Sequence, residues 1–295
     1  MAISDKKPNF LIIGAPRCGT TSLHDKLSRH PEIFMSNIKE PHFFSSFDFP
    51  FPENEIHHVT HNPDVYGRLF EDAGNRLAGE SSTYYLADPE APAKIKAYNP
   101  DMKLIAILRD PVDRAYSQYL QYERRGKQTK TFAETIELLL AEPGESPIYD
   151  LVMLGRYGEQ LQRYYQHFPK KQLLVVMFDD LTKQPVETLA KILNFLGVDP
   201  SPAGRLAEAA AQNQHQVPRS QTLARLANNR QIMKVGLKLV PRPLLRFVRN
   251  NILLKKGSDK APLDEETALK LQDAYAADEK VLAKVLGRPA SWIKS

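Results

Sequence analysis

The sequence predicts an α/β protein: a central, mainly parallel sheet flanked by helices in three layers, with a helical and loop appendage at the C-terminus. Three observations predict it. The apolar runs at 10–13 (FLII), Lys103–Leu108 (KLIAIL) and 172–178 (QLLVVMF) have the length and unbroken hydrophobicity of strands buried on both faces. Helical patterns stand between these runs, as a parallel sheet with crossover helices requires. The first run ends in a glycine turn, GAPRCGTT, that opens a helix.

Each element has its own signal. Residues 20–29 read as a helix ended by His30-Pro31, because proline disfavours helical backbone in the residue before it. Ile33–Met35 is a short strand and 64–70 a helix. Asp88 caps a helix reaching Ala97. Pro111 begins a helix running to about Arg125, at a position where its missing N–H does no harm. Residues 132–140 and 159–167 form two more helices, and Pro185–Leu196 a last one closed by Gly197. After Asp199-Pro200-Ser201-Pro202 the strands cease, and no second sheet or separate core is visible. Residues 1–200 are expected to be the α/β core. Residues 201–295 are expected to pack on it and complete the ligand cleft.

Composition narrows the class. The 295 residues are 42% hydrophobic and 25% charged, ordinary for a globular protein with a substantial core. The single cysteine, Cys18, rules out an internal disulfide and a cysteine metal cluster. The N-terminus has only a short apolar run, unlike a signal peptide, and no apolar stretch is long enough to span a bilayer. A cytoplasmic protein is expected. The net charge is +5, but no acidic residue falls between Glu208 and Asp259, where ten lysines and arginines do. Such a segment seeks anions, faces a membrane, or is a solvated basic face.

The first turn has the glycine spacing of the P-loop, G-x-x-x-x-G-K-[ST], from Gly14 to Gly19, but Thr20 occupies the lysine position. A P-loop-type helix start still binds anions through its unpaired N–H groups and its dipole. Arg17 adds a permanent charge, and Thr20 and Thr21 add hydroxyls. A triphosphate needs lysine and Mg²⁺; a phosphosulfate carries less charge and needs neither. KLIAIL runs into Arg109 before Asp110, so an arginine suited to a further phosphate stands at the strand end.

These segments resemble those of the PAPS-dependent sulfotransferases (PAPS is 3′-phosphoadenosine 5′-phosphosulfate). GAPRCGTTSL (14–23) resembles their 5′-phosphosulfate loop and LRDPVDRAYSQYLQY (108–122) their 3′-phosphate motif. KEPHFFS (39–45) is similar to the acceptor-side motif of the branch holding the heparan sulfate sulfotransferases and bacterial relatives. The resemblance implies that Arg17, Cys18, Gly19, Thr20, Thr21 and Ser22 hold the 5′ side of PAPS, and that Arg109 and Ser117 clamp its 3′-phosphate. It implies that Lys256, Gly257 and Ser258 belong to a loop closing over the nucleotide. Glu40 is implied as the general base and His42 as a group orienting it, with Arg17 stabilising charge on the bridging oxygen. A relative's lysine at the Arg17 position would assist the leaving group; arginine keeps the charge without giving up its proton.

Further expectations attach to the neighbours of these residues. Pro41 to Phe44 should cover Glu40 with apolar surface and raise its pKa, and in an extended segment His42 would share its side. Lys39 approaches the sulfuryl group or is simply exposed. Arg114 is structural or paired with Asp110. GESSTYY (79–85) should line the acceptor cleft, with Ser81 where relatives carry lysine and with Tyr84 and Tyr85 stacking on a sugar or filling core. Residues 237–248 touch a membrane peripherally or cover the acceptor cleft. His57, His58 and His61 lack the pattern of a metal site, and no metal is expected. The acceptor would be a glycan, a lipid-linked sugar or a metabolite, with no nucleic acid. Two rival readings stay open: a P-loop kinase or hydrolase, and a non-catalytic nucleotide or polyanion binder.

Overall fold

The computed structural model describes residues 7–49, 60–124, 128–142, 149–208, 216–218, 254–256, 263–290 and 292. The first strand, β1 (Phe10–Gly14), is buried throughout and leads into α1 (Thr20–Leu27). Then come β2 (Ile33–Met35), α2 (Pro63–Arg68), β3 (Leu77–Ser81), α3 (Ala91–Tyr98), β4 (Lys103–Leu108) and α4 (Pro111–Arg124). They are followed by α5 (Phe132–Ala141), α6 (Tyr157–His167), β5 (Leu173–Met177), α7 (Phe178–Lys183), α8 (Pro185–Leu196) and α9 (Ala203–Glu208). The described chain ends with β6 (Gln216–Pro218), β7 (Leu254–Lys256) and α10 (Glu265–Leu286).

The main sheet has the order β2-β3-β1-β4-β5, and every pairing is parallel. Its central strands are apolar on both sides: Phe10 to Ile13 and Leu104 to Leu108 have no exposed surface. Burial of each such large side chain stabilises the fold by roughly 1.5–3 kcal/mol. The chain leaves β1, fills positions β2 and β3 on one side, and then crosses to β4 on the other. The connections after β1 and β4 therefore diverge and leave a crevice at the strands' C-terminal ends, the usual ligand position in an open α/β sheet.

Most elements start and stop where residue chemistry predicts. Gly197 closes α8 in the left-handed region at φ 83°. Asp88 accepts from the N–H groups of Glu90 (2.9 Å) and Ala91 (3.2 Å) at the start of α3. Helix α1 stops at Leu27, short of the expected Arg29. β5 ends at Met177, and Phe178 already begins α7, a helix the apolar run concealed.

The expectation that strands cease after residue 202 is wrong. β6 and β7 form a second, antiparallel sheet, with Gln216 opposite Lys256. Three-residue strands are too short to show a period, and Pro218 argues against a strand except at an edge. The remaining residues of 209–262 lie outside the described set. Helix α10 buries Leu271, Tyr275 and Leu282 against α4, α5 and α6. Its Asp278 accepts from the N–H groups of Gly158 and Glu159, both at 2.8 Å, capping α6 from a distant part of the chain. A Cβ on Gly158 would lie 2.4 Å from the Asp278 carbonyl oxygen, so only glycine permits this approach. Among the described residues, no helix is long and apolar enough to cross a membrane.

Candidate active site

The turn after β1 is built around a strained arginine. Cys18 N–H donates to the Ala15 carbonyl at 3.3 Å, closing a turn with Pro16 and Arg17 at its centre. Arg17 has φ 70°, the left-handed geometry that this turn position normally gives to glycine. Gly19 follows at φ 84° as the N-cap of α1, with no side-chain cap and no acidic residue in the first turn. The first-turn N–H groups therefore present their dipole without a competing carboxylate. Thr20 is buried, Ser22 half-buried and Thr21 exposed. The Cys18 side chain turns away into the core, 3.8 Å from the Tyr157 hydroxyl, and burial raises its pKa. Its thiol also donates to the loop's Pro16 carbonyl at 3.6 Å, so any part Cys18 plays toward a ligand falls to its backbone.

The turn after β4 stands beside this one. Ser117, buried on α4, accepts from Arg17 Nε at 3.3 Å. Arg109 leaves the end of β4, donates to Asp113 at 2.8 Å and lies 5.0 Å from the centre of the Phe178 ring. The structure therefore brings Arg17 and Ser117 into contact across the switch point and sets Arg109 on the same connection as Ser117. Arg114 is fully buried and pairs with Gln118 and the Leu151 carbonyl; its side chain does not meet Asp110. Lys256 lies in β7, not in a loop, with its side chain outside the described set; Gly257 and Ser258 are outside it altogether.

A third segment carries Glu40. Glu40 and His42 have φ 63° and 52°, so the three non-glycine residues of positive φ among those described are Arg17, Glu40 and His42. Such residues cost of order 1–3 kcal/mol each and persist only where the surroundings dictate them. At Glu40 and His42 the end of β3 and the residues just after it do so. Glu40 N–H donates to the Ser81 carbonyl (2.9 Å) and His42 N–H to the Ser82 hydroxyl (3.1 Å). Phe44 N–H reaches the Tyr85 hydroxyl (3.3 Å), and Ser45 and Ser46 bind the buried Asp88 carboxylate. Beneath them the Glu80 carboxylate accepts from Tyr66 (3.3 Å) and Ser82 (2.9 Å). Burial pushes Glu80 up to about 7.

The Glu40 carboxylate accepts from Lys39 at 2.7 Å and from the Thr83 hydroxyl at 3.1 Å, and His42 Nε2 lies 3.9 Å away. Burial pushes its pKa up, but the neighbouring Lys39 and His42 charges and the two donated bonds outweigh burial and bring it to about 2. The expected upward shift is thus reversed, because Lys39 folds onto Glu40 instead of pointing to solvent. His42 reaches Glu40 through the left-handed backbone at both residues, not through an extended strand. His42 stacks on Phe49 at 4.1 Å. Of the run 79–85 only Tyr84 keeps partial exposure among the residues from Glu80 on; Tyr85 is core, and Ser81 to Thr83 lie beneath the surface, where they hold the loop rather than line a cleft.

The sequence placed Ser82 and Thr83 only in the run expected to line the acceptor cleft, without a role in holding Glu40 and His42, and it missed Phe178 and His24, whose ring sits 3.0 Å from the Ser81 hydroxyl. Neither Phe178 nor His24 carries a motif; the packing of α1 on β3 reveals His24, and the ring under Arg109 reveals Phe178. A cavity of about 1000 Å³ lies at the opposite, N-terminal end of the strands, lined by Asn9, Glu32, Arg76 and Leu77 among others. It has no part in this geometry. Among the described residues no cluster of histidine, cysteine and carboxylate groups fits a metal ion.

A parallel α/β sheet whose glycine turn after β1 meets the helix after β4 at its switch point has the layout of an open α/β nucleotide-binding fold. The chain belongs to the sulfotransferase domain family, whose model matches residues 7–281. It is 33% identical over 205 residues to human bifunctional heparan sulfate N-deacetylase/N-sulfotransferase 3, covering 66% of this chain and 23% of that protein. It is 30% identical over 197 residues to human heparan sulfate glucosamine 3-O-sulfotransferase 3B1, covering 66% and 47%. The chain thus spans less than half the length of these curated relatives. A crystal structure of a sulfotransferase from Alicyclobacillus acidocaldarius matches with TM-score 0.70 and 26% identity, over 97% of this chain and 98% of that one. Retinol dehydratase in complex with androsterone and inactive cofactor PAP shares the fold at TM-score 0.53 and 16% identity, over 93% and 82%.

Proposed function

We propose that the chain transfers a sulfuryl group from PAPS to a hydroxyl or amine of an acceptor and releases adenosine 3′,5′-bisphosphate. The observation that carries the reading is the junction of the two turns: Arg17, on the loop after β1, touches Ser117, on the helix after β4. A ligand anionic at both ends, with a nucleoside between, matches two such turns better than a triphosphate does. The residues fit it: donors from Gly19 to Ser22 and Arg17 for the 5′ side, Arg109 and Ser117 for the 3′-phosphate.

The acceptor oxygen or nitrogen attacks sulfur in line. Its bond to sulfur forms as the bond from sulfur to the bridging oxygen breaks, and the electron pair stays on the 5′-phosphate. Arg17 meets that growing charge. The acceptor's proton passes to Glu40. A carboxylate at about 2 is a weak base, so its pairing with Lys39 must be temporary. The sulfuryl oxygens draw Lys39 away, and burial then raises the basicity of Glu40. The heparan sulfate acceptors named for the relatives make a glycan the leading acceptor class. Lipid-linked sugars and other metabolites share the needed hydroxyl.

The test is a panel of hydroxyl and amine acceptors with ³⁵S-labelled PAPS, read by mass and label, for wild type and Glu40→Gln. Wild type should label an acceptor without Mg²⁺. The variant should keep its affinity for adenosine 3′,5′-bisphosphate and lose about 100- to 10,000-fold in rate. Full activity in the variant removes Glu40 from the mechanism.

A further inference from the structure

His24 belongs to α1, the helix whose N-terminus forms the first anion-holding turn, yet it faces away from that turn toward β3. It is buried. Its Nδ1 lies 3.0 Å from the Ser81 hydroxyl, and the Ser36 backbone weakly favours the protonated ring. Ser81 is the residue whose carbonyl accepts the Glu40 N–H. Ser36 is tied to β3 by its N–H to Gly79 and closes the 36–38 turn with its own hydroxyl. One imidazole therefore ties the helix of the donor loop to Ser81 at the end of β3, and the Ser81 carbonyl in turn holds the segment that delivers Lys39 and Glu40.

We infer that His24 is a positioning residue for sulfuryl transfer, fixing the Lys39–Glu40 segment relative to the donor loop. The inference rests on the sulfotransfer reading of the same site. The chemistry of the ring suits the role. A neutral imidazole donates at one nitrogen and accepts at the other, so Nδ1 can take either role toward the Ser81 hydroxyl. Burial first, and then the charge of Lys39, hold His24 down at about 4, against weaker opposition from Asp25 and Glu40. The ring is therefore uncharged at neutral pH and leaves Lys39 as the cation facing Glu40. A second cation there would compete for the carboxylate.

The test compares wild type, His24→Phe, His24→Asn and Ser81→Ala. It measures calorimetric affinity for adenosine 3′,5′-bisphosphate and the single-turnover rate at which PAPS is consumed, with water as acceptor. His24→Phe keeps a ring but breaks the bond to Ser81. It should bind the bisphosphate within about threefold of wild type and lose roughly 10- to 100-fold in rate, the cost of a misplaced reacting group. His24→Asn, whose amide can reach the Ser81 hydroxyl, should recover part of that rate. Ser81→Ala keeps the carbonyl bond to Glu40 and removes only the hydroxyl, so it tests the same contact if His24→Phe folds poorly; its rate should fall and its affinity hold. Rates equal to wild type in both His24→Phe and Ser81→Ala overturn the inference alone, as does parallel loss of rate and affinity in Ser81→Ala. A wild type that neither binds the bisphosphate nor consumes PAPS overturns the sulfotransfer reading and this inference with it.

Discussion

Lys39 and Glu40 are adjacent in sequence and bonded at 2.7 Å, a pairing that left-handed backbone at Glu40 accompanies. This pair governs the pH dependence expected of the site. With Lys39 present, Glu40 stays ionised down to about pH 2. In Lys39→Met the burial of the carboxylate goes unopposed by its principal cation, so its pKa rises. The acid limb of the kcat/KM profile should therefore move to higher pH in Lys39→Met than in wild type; superimposable limbs contradict the pairing. The candidate residues themselves were legible in the sequence, since Arg17, Glu40, Arg109 and Ser117 sit in motifs of defined spacing. Their electrostatics were not. The apolar letters around Glu40 pointed to a raised pKa, while the decisive cation was its own neighbour, brought round by a backbone conformation that residue type does not announce. Thr83, just past β3, meets Glu40, and His24 on α1 meets Ser81, contacts between residues far apart in the chain.

At the scale of elements, the end of β3 works as a bracket for the 36–46 loop, and Glu80 is its buried base. The Glu80 carboxyl is about 7 in the folded protein against an ordinary value of 4.5. A folded pKa above the unfolded one means that stability is fully present below pH 4.5 and is lost as pH rises through 7, by on the order of 3 kcal/mol. Glu40 has the opposite sign: its contribution is present above 4.5 and is lost only as pH falls through 2. The two windows do not overlap. Urea unfolding of wild type and Glu80→Gln across pH 4.5 to 7 should therefore show a falling stability in wild type that is reduced in the variant; identical slopes contradict a buried, proton-holding Glu80. The strands β1 and β4 and helix α8 were readable because burial on both faces and end caps leave marks in adjacent residues. β6 and β7 were not, because three residues of strand take their identity from a partner 36 or more positions away. The extra helix α7 was hidden because Phe178 continues the apolar run of β5 while already turning into a helix.

At the scale of the whole molecule, function follows from where the chain reverses direction across its sheet. The crevice between the connections after β1 and β4 exists because β4 lies on the far side of β1 from β3. The two turns there carry arginines on different connections, Arg17 and Arg109, so one ligand must bridge them for both to be used. Calorimetric titration of adenosine 3′,5′-bisphosphate in EDTA, against wild type and Arg109→Ala, tests this most directly. Metal-independent binding by wild type, weakened in Arg109→Ala by about 10- to 100-fold for a lost charge-assisted pair, is the predicted result. No binding by wild type, or equal binding by the variant, would contradict it.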